Sequence, residues 1–219
     1  MADRAVTASD LTHDRDRALE LMPVSRETAA RLDDLVSHLL KWQQRINLIA
    51  PSTVRQLWTR HVADSLQLLQ LAPTARKWID FGSGGGFPGL VIASAFAAHD
   101  GRAIDLVESN AKKAAFLRET ARQLQLPALV HAVRINDFVS QYADSAEIVT
   151  ARALAPLTEL LGYAEPLLKK GAQALFPKGQ DVEAELTVAS KYWKIEARLV
   201  TSLTDPRSRI VVIKTAERR

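Results

Sequence analysis

Residues 80–89 read DFGSGGGFPG: five glycines in ten positions, an acid in front and a proline near the end. The stretch falls between an apolar run at 77–81 and a run of helical character from 88, the place where doubly wound α/β sheets meet nucleotide-like ligands. Pro88 suits the first turn of that helix, where a missing N–H costs nothing. Gly84, Gly86 and Gly89 also satisfy the dinucleotide pattern GxGxxG, a match that carries little weight alone.

Asp80 separates the two ligand classes. A carboxylate two residues before the first glycine repels a pyrophosphate and attracts a cation. S-adenosylmethionine carries an ammonium and a sulfonium and no phosphate, so Asp80 followed by Gly82, Gly84 and Gly86 favours it. Glycine lets the backbone approach such a ligand closely and take positive φ. Glu108, within IDLVESN, can accept both ribose hydroxyls of an adenosine in either class. The alternative is a capping acid for the helix beginning near Asn110. A third strand leads into RIND at 134–137, where backbone N–H groups and the Asn136 and Asp137 side chains are candidates for the adenine.

The remaining chain supplies the sheet around this loop. From Ser25, an N-cap residue, Leu32, Leu35, Val36, Leu39, Leu40 and Ile46 repeat with helical spacing, and a second stripe runs from Val54 to Leu69, ending before Pro73. After Pro73, short apolar runs at 77–81, 103–108, 129–133, 147–150 and 173–176 alternate with helical stretches near 88–98, 110–126, 155–169 and 180–191. That alternation signals βαβ units and a parallel sheet. Runs at 195–201 and 209–214 face each other across Thr204-Asp205-Pro206, an antiparallel hairpin. The expected fold is therefore α/β, a doubly wound, seven-stranded, mostly parallel sheet with an N-terminal helical extension. Residues 1–22 are polar and aperiodic and are expected to be a disordered tail. Residues 23–72 form the extension and 73–219 the Rossmann-like domain, the two making one compact unit.

Composition narrows the function. The 219 residues contain no cysteine, which removes disulfides, thiolate nucleophiles and cysteine-ligated metals together. The longest apolar run, residues 90–98, is far short of the ~18 needed to cross a bilayer, and the charged N-terminus lacks the apolar core of a secretory signal. A cytoplasmic protein is expected. Twenty-nine Lys and Arg against twenty-five Asp and Glu give a net charge of +4, compatible with a nucleic-acid partner.

DFGSGGGFPGL, NLIAPSTVRQLWTRHVADSLQLL, AFLRETARQL, TARAL, LFPKGQ and RIVVIK, in this order from Leu35 to Lys214, together resemble the bacterial small-subunit rRNA guanine-N7 methyltransferases, the glucose-inhibited division protein B family. The F-P after the glycines and the RHxxDS of Arg60 to Ser65 are the most specific pieces. The resemblance implies a class I methyltransferase that moves a methyl group from S-adenosyl-L-methionine to N7 of one guanine, usually called 527, in the decoding-region loop of 16S rRNA in the 30S subunit, without an obligate protein partner. It places cofactor contacts on Gly82, Phe87, Ile135, Asn136 and Arg152. The family usually has two acids where this chain has Asn136-Asp137, so the backbone contacts carry over and the first acid's side-chain role is left open. On the substrate side it points to Asn47, Arg60, His61, Asp64, Ser65 and Lys178.

The chemistry expected of that reaction is spare. Guanine N7 has an in-plane lone pair and no proton, so Arg152, directly after the fourth strand, is expected to position rather than to act as a base. Methylation at cytosine C5 usually recruits a cysteine, and amino-group methylation often uses an Asn/Asp-Pro-Pro-aromatic turn where this chain reads TARALAPL. No HExxH or clustered histidines suggest a metal. Candidate RNA phosphate contacts are Arg4, Arg15, Arg17, Lys112, Lys113, Arg118, Arg122, Arg207 and Arg209. A dinucleotide-dependent oxidoreductase and a non-enzymatic ribosome-binding module are the competing readings.

Overall fold

A computed structural model describes residues 7–142 and 146–219. Arg4, a candidate phosphate contact, lies outside the described residues. The strands are β1 (Lys77–Phe81), β2 (Ala103–Val107), β3 (Ala128–His131), β4 (Ile148–Ala151), β5 (Gln173–Lys178), β6 (Trp193–Thr201) and β7 (Arg209–Arg218). They form one sheet in the order β3-β2-β1-β4-β5-β7-β6, parallel except where β7 pairs with β5 and β6. The expected doubly wound sheet and terminal hairpin are both present.

The helices are α1 (Ala8–Leu21), α2 (Arg26–Gln43), α3 (Asp64–Leu71), α4 (Gly89–Phe96), α5 (Ala111–Gln123), α6 (Ile135–Tyr142), α7 (Leu157–Leu168) and α8 (Val182–Ala189). Between α2 and α3 the chain passes through a 3-10 turn, Pro51–Gln56, and a π-helical stretch, Trp58–Ala63. On one face, Leu32, Leu35, Trp58, Leu66, Leu90, Phe96 and Phe116 share a core; on the other, Phe138, Leu160, Leu161 and Val182 do. Helix α4 lies between the sheet and α2 and α3, so it is buried on nearly all sides, which explains its almost uninterrupted apolar run. Central β1 and β4 are likewise buried on both faces, whereas edge strand β6 exposes Lys194, Glu196 and Arg198 to water and resists edge-to-edge pairing.

The expected tail is helical from Ala8. Its sequence carries a capping box, with Asp10 N donating to Thr7 Oγ1 and Thr7 N donating to Asp10 Oδ2. The helix is held less by an apolar stripe than by polar bonds: Asp14 accepts from Trp58 N and Thr59 N, and Arg15 pairs with Asp33. Only Ala18 and the following Met22 are buried.

Strand order reverses between β1 and β4, both parallel, so their carboxyl ends open a crevice at the topological switch point. Phe81 lies opposite Ala151, which brings Gly82 and Arg152 out side by side at that edge.

Candidate active site

The glycine loop leaves β1 and turns back into α4. Gly82 N and Ser83 N both donate to Val107 O, at 2.8 and 3.1 Å, and Gly86 N donates to Ser83 O at 2.6 Å. Gly82 has φ +64° and Gly86 has φ +85°, both in the left-handed region that glycine alone enters without strain. Space forbids side chains as well: a Cβ on Gly82 would lie 2.6 Å from Leu154, and one on Gly86 2.5 Å from Leu90. Gly84 differs, because a Cβ there meets only Gly82 O at 3.6 Å. The loop is tight behind and open at Gly84, on the cleft side.

Asp80 does not face the cleft. It is fully buried, its Oδ1 accepting from Thr150 Oγ1 at 2.9 Å and its Oδ2 from Gly89 N at 3.2 Å. Burial pushes its carboxyl up to about 7, against the hydrogen bonds and the nearby Arg152 charge that lower it. The sequence reading of Asp80 as a direct cation partner is thus corrected. Asp80 is absent from the cleft lining, and its carboxylate instead joins Gly89 at the start of α4 to Thr150 of β4. Glu108 is buried beside the loop, with Oε2 accepting from Gly84 N at 2.9 Å and Oε1 from Asn110 N at 2.7 Å. Each oxygen keeps a lone pair for a further donor.

The loop opens into a cleft of 760 Å³. Gly82, Gly84, Phe87, Arg60, His61, Asp64, Arg152 and Lys178 all line it, drawn from four separate parts of the chain. Arg152 is the knot among them. Its Nη1 donates to Arg60 O at 2.9 Å and to Asp64 Oδ2 at 3.1 Å, its Nη2 bonds His61 Nδ1, and its guanidinium lies over the Phe87 ring. Because guanidinium can only donate, His61 Nδ1 is the acceptor, and the ring carries its proton on Nε2, which donates to Thr53 Oγ1 at 2.9 Å. Burial first, then the Arg152 and Arg60 charges, push His61 down to about 3. The imidazole is neutral, stacked on Phe87 at 4.9 Å, and has both nitrogens engaged.

Asp64 ties this knot to the β6–β7 turn. Its Oδ1 accepts from Gln67 Nε2 at 2.7 Å, Thr204 Oγ1 at 3.0 Å and Ser202 Oγ at 3.3 Å. Ser65 is buried behind it, its hydroxyl donating back to His61 O. Lys178 is spoken for by Ala155 O at 2.9 Å and Glu185 at 2.6 Å.

Other expected residues lie elsewhere. Ile135 packs into the second core, and Asn136, in the first turn of α6, lines a separate groove with Thr158, Tyr163, Tyr192 and Trp193. RIND is a helix start rather than a loop, so helical phase turns the Asn136 side chain away. The first amides of α6, lacking intrahelical acceptors, remain at the sheet edge. Asn47 is exposed beside Leu48, which does line the cleft. Thr53, Gln67, Ser202 and Thr204 escaped the sequence reading because their partners are set by tertiary contact.

Charge is concentrated here. Seven cations and three carboxylates line the cleft, and each carboxylate has its own cation: Asp64 with Arg152, Glu185 with Lys178, Asp205 with Arg207. Arg17, Arg60, Lys113 and Arg209 are left with no carboxylate partner among the described residues. Of the candidate phosphate contacts, Lys112, Arg118 and Arg122 are absent from the lining, and Arg15 is committed to Asp33. Among the described residues, no group of three His, Cys, Asp or Glu is placed to hold a metal, and no helix is long and apolar enough to cross a membrane.

This architecture is the class I methyltransferase fold. Cofactor-bound Rv0187 from MTB superposes with a TM-score of 0.60 at 13% identity, over 97% of this chain and 99% of that one. P. horikoshii TYW2 in complex with MeSAdo gives 0.52 at 15% identity, over 80% of this chain and 65% of that one. Residues 28–211 match the family model GidB, rRNA small subunit methyltransferase G, and the chain belongs to that family. It is 60% identical over 206 residues to the ribosomal RNA small subunit methyltransferase G of Nitrobacter hamburgensis, covering 94% of this chain and 79% of that protein. It is 57% identical over 215 residues to the one from Bradyrhizobium sp., covering 98% and 97%. The family makes this chain an S-adenosylmethionine-dependent rRNA methyltransferase.

Proposed function

We propose that the chain methylates N7 of one guanine, the position usually called 527, in the decoding-region loop of 16S rRNA, acting in the cytoplasm on the 30S subunit without an obligate protein partner. The observation that carries the choice of atom is His61. It is the group in the cleft best suited by type to be a general base, yet it is held neutral with both ring nitrogens occupied and its pKa near 3. Guanine N7 needs no base, because it loses no proton when its lone pair takes the methyl group.

S-adenosylmethionine supplies a methyl group on a sulfonium, whose sulfur keeps the electron pair of the broken bond. The chain's residues suit its binding: Glu108 has lone pairs for ribose hydroxyls, the first α6 amides would be free to donate to the base, and the surface of Gly84 is open. Arg152 spends three of its five N–H groups on Arg60, His61 and Asp64, leaving Nε–H and one Nη2–H. We assign that remaining pair to the cofactor carboxylate, with Phe87 beneath. Gly82, Gly84, Gly86, Phe87, Glu108, Ile135, Asn136 and Arg152 are thus the proposed cofactor set, Ile135 and Asn136 through their backbone. Asp80 supports it from behind. Arg60, His61, Asp64 and Lys178 stand on the substrate side, with Asn47 and Ser65 bracing the same wall. Proximity and orientation then do the chemistry.

The test is a methyl transfer to 30S subunits, followed by mapping of 7-methylguanine in the 16S rRNA by base-labile chain cleavage. One modified guanine at the named position is expected. Methyl groups on another atom or another guanine refute the proposal, and calorimetric binding of NADH in place of S-adenosylmethionine would restore the dinucleotide reading.

A further inference from the structure

Helix α1 forms one wall of the cleft. Trp58 N, Thr59 N and Thr59 Oγ1 converge on the Asp14 carboxylate at 2.7, 3.3 and 2.6 Å. Those amides stand where the 3-10 turn passes into the π-helical stretch that leads through Arg60 and His61 to Asp64, so Asp14 fixes α1 to the segment that carries the cleft residues. Arg15 adds a two-point pair with Asp33 on α2, at 2.5 and 2.7 Å, and stands over the Trp58 ring. With α1 fixed in this way, Arg17 and Leu21, one and two turns beyond Asp14, come to line the cleft. Arg17 is exposed and has no carboxylate partner among the described residues.

We propose that Arg17 contacts a phosphate of the RNA strand that enters the cleft, and that Asp14 is the positioning residue that holds it there. The proposal rests on the rRNA reading and concerns a helix outside the matched residues 28–211. An arginine fork suits a phosphate in two-point contact. A docked helix loses little conformational freedom on binding, which a flexible tail would lose in full. The surroundings also select an anion, since among the described residues every cleft carboxylate has its own cation while four cleft cations have no carboxylate.

The experiment measures the affinity of the full-length protein for 30S subunits over a range of KCl at fixed magnesium. Loss of one phosphate contact lowers the slope of log K against log salt by about 0.7–0.9. Arg17→Gln is expected to show that loss with unchanged S-adenosylmethionine affinity, Arg17→Lys to restore the slope, and Arg198→Gln, exposed on edge strand β6 away from the cleft, to leave it as in wild type. A wild-type slope in Arg17→Gln overturns the proposal, as does an equal loss in Arg198→Gln. Asp14→Asn is expected to raise the KM for 30S subunits several-fold in the wild-type background and by less than about twofold in Arg17→Gln, the non-additivity expected of residues that act as a unit. Equal factors in both backgrounds overturn the link between Asp14 and Arg17. Wild-type methylation of the 30S subunit is the reference throughout, so its failure would strike the functional reading and not α1.

Discussion

Arg152 is where stability and turnover are most closely joined. Replacement by alanine removes three hydrogen bonds and leaves Asp64, whose side chain is 15% exposed, without its cation. Stranding a fully buried carboxylate costs about 3–5 kcal/mol. Asp64 keeps Gln67, Thr204 and Ser202 as donors, so the expected loss is lower, about 2–3 kcal/mol. For a chain of this size that is a fall in Tm of roughly 5–10 °C. Lysine keeps the charge near Asp64 but cannot also reach Arg60 O and His61 Nδ1 in one geometry, and is expected to recover about half of the lost stability. At 25 °C both variants remain folded, because a domain starts with about 5–15 kcal/mol. Single-turnover methylation of 30S subunits at that temperature therefore reads the site rather than the folded fraction. Both variants are expected to lose at least tenfold in rate, lysine nearly as much as alanine. If Arg152→Ala melts within about 1 °C of wild type the network is energetically idle, and if Arg152→Lys turns over normally the fork has no role in the reaction.

Three further outcomes are expected. His61 has a folded pKa near 3, below its unfolded value, so its contribution to stability is complete above about pH 6.5 and is lost as the pH falls toward 3; His61→Gln should flatten that part of the stability profile, and an imidazole seen by NMR to protonate near pH 6.5 contradicts the geometry. Asp80 runs the other way for a carboxyl: its folded value is raised to about 7, so the unfolded state binds fewer protons between about pH 4 and 7 and stability from this group declines as the pH rises. Urea denaturation at several pH values should show wild type losing ground to Asp80→Asn across that window, and a constant difference would show Asp80 ionised throughout. Glu108→Gln sets an amide N–H₂ against either Gly84 N–H or Asn110 N–H, and should weaken S-adenosylmethionine binding by tenfold or more in calorimetry; unchanged affinity would remove Glu108 from the cofactor set.

Much of the fold was legible because its signals are local. The short apolar runs and helical stretches after Pro73 and the glycines behind β1 report their own backbone, and the strands appear where those runs placed them, within a residue or two except at β7, which continues four residues past Lys214. Asp80 was legible in position and misread in direction, since its burial depends on Thr150 from β4 and Gly89 from α4. Asn136 failed for a similar reason: a one-turn helix start rotates its side chain to the opposite face, which the residue type does not announce. Helix α1 has few buried apolar residues, and its anchors at Trp58, Thr59 and Asp33 leave no periodic trace. Only the capping box Thr7 to Asp10 marked it.

The Asp64 knot also sets an order of assembly. Its partners Ser202 and Thr204 stand 138 and 140 residues further along the chain, so closing it draws together segments made early and late in synthesis. Contacts of such separation close late in folding, after the local βαβ units. A chain truncated before the final hairpin lacks both hydroxyls and leaves Asp64 with Arg152 and Gln67 alone. Completion of the cleft wall is thereby deferred until the last strands have been made and paired.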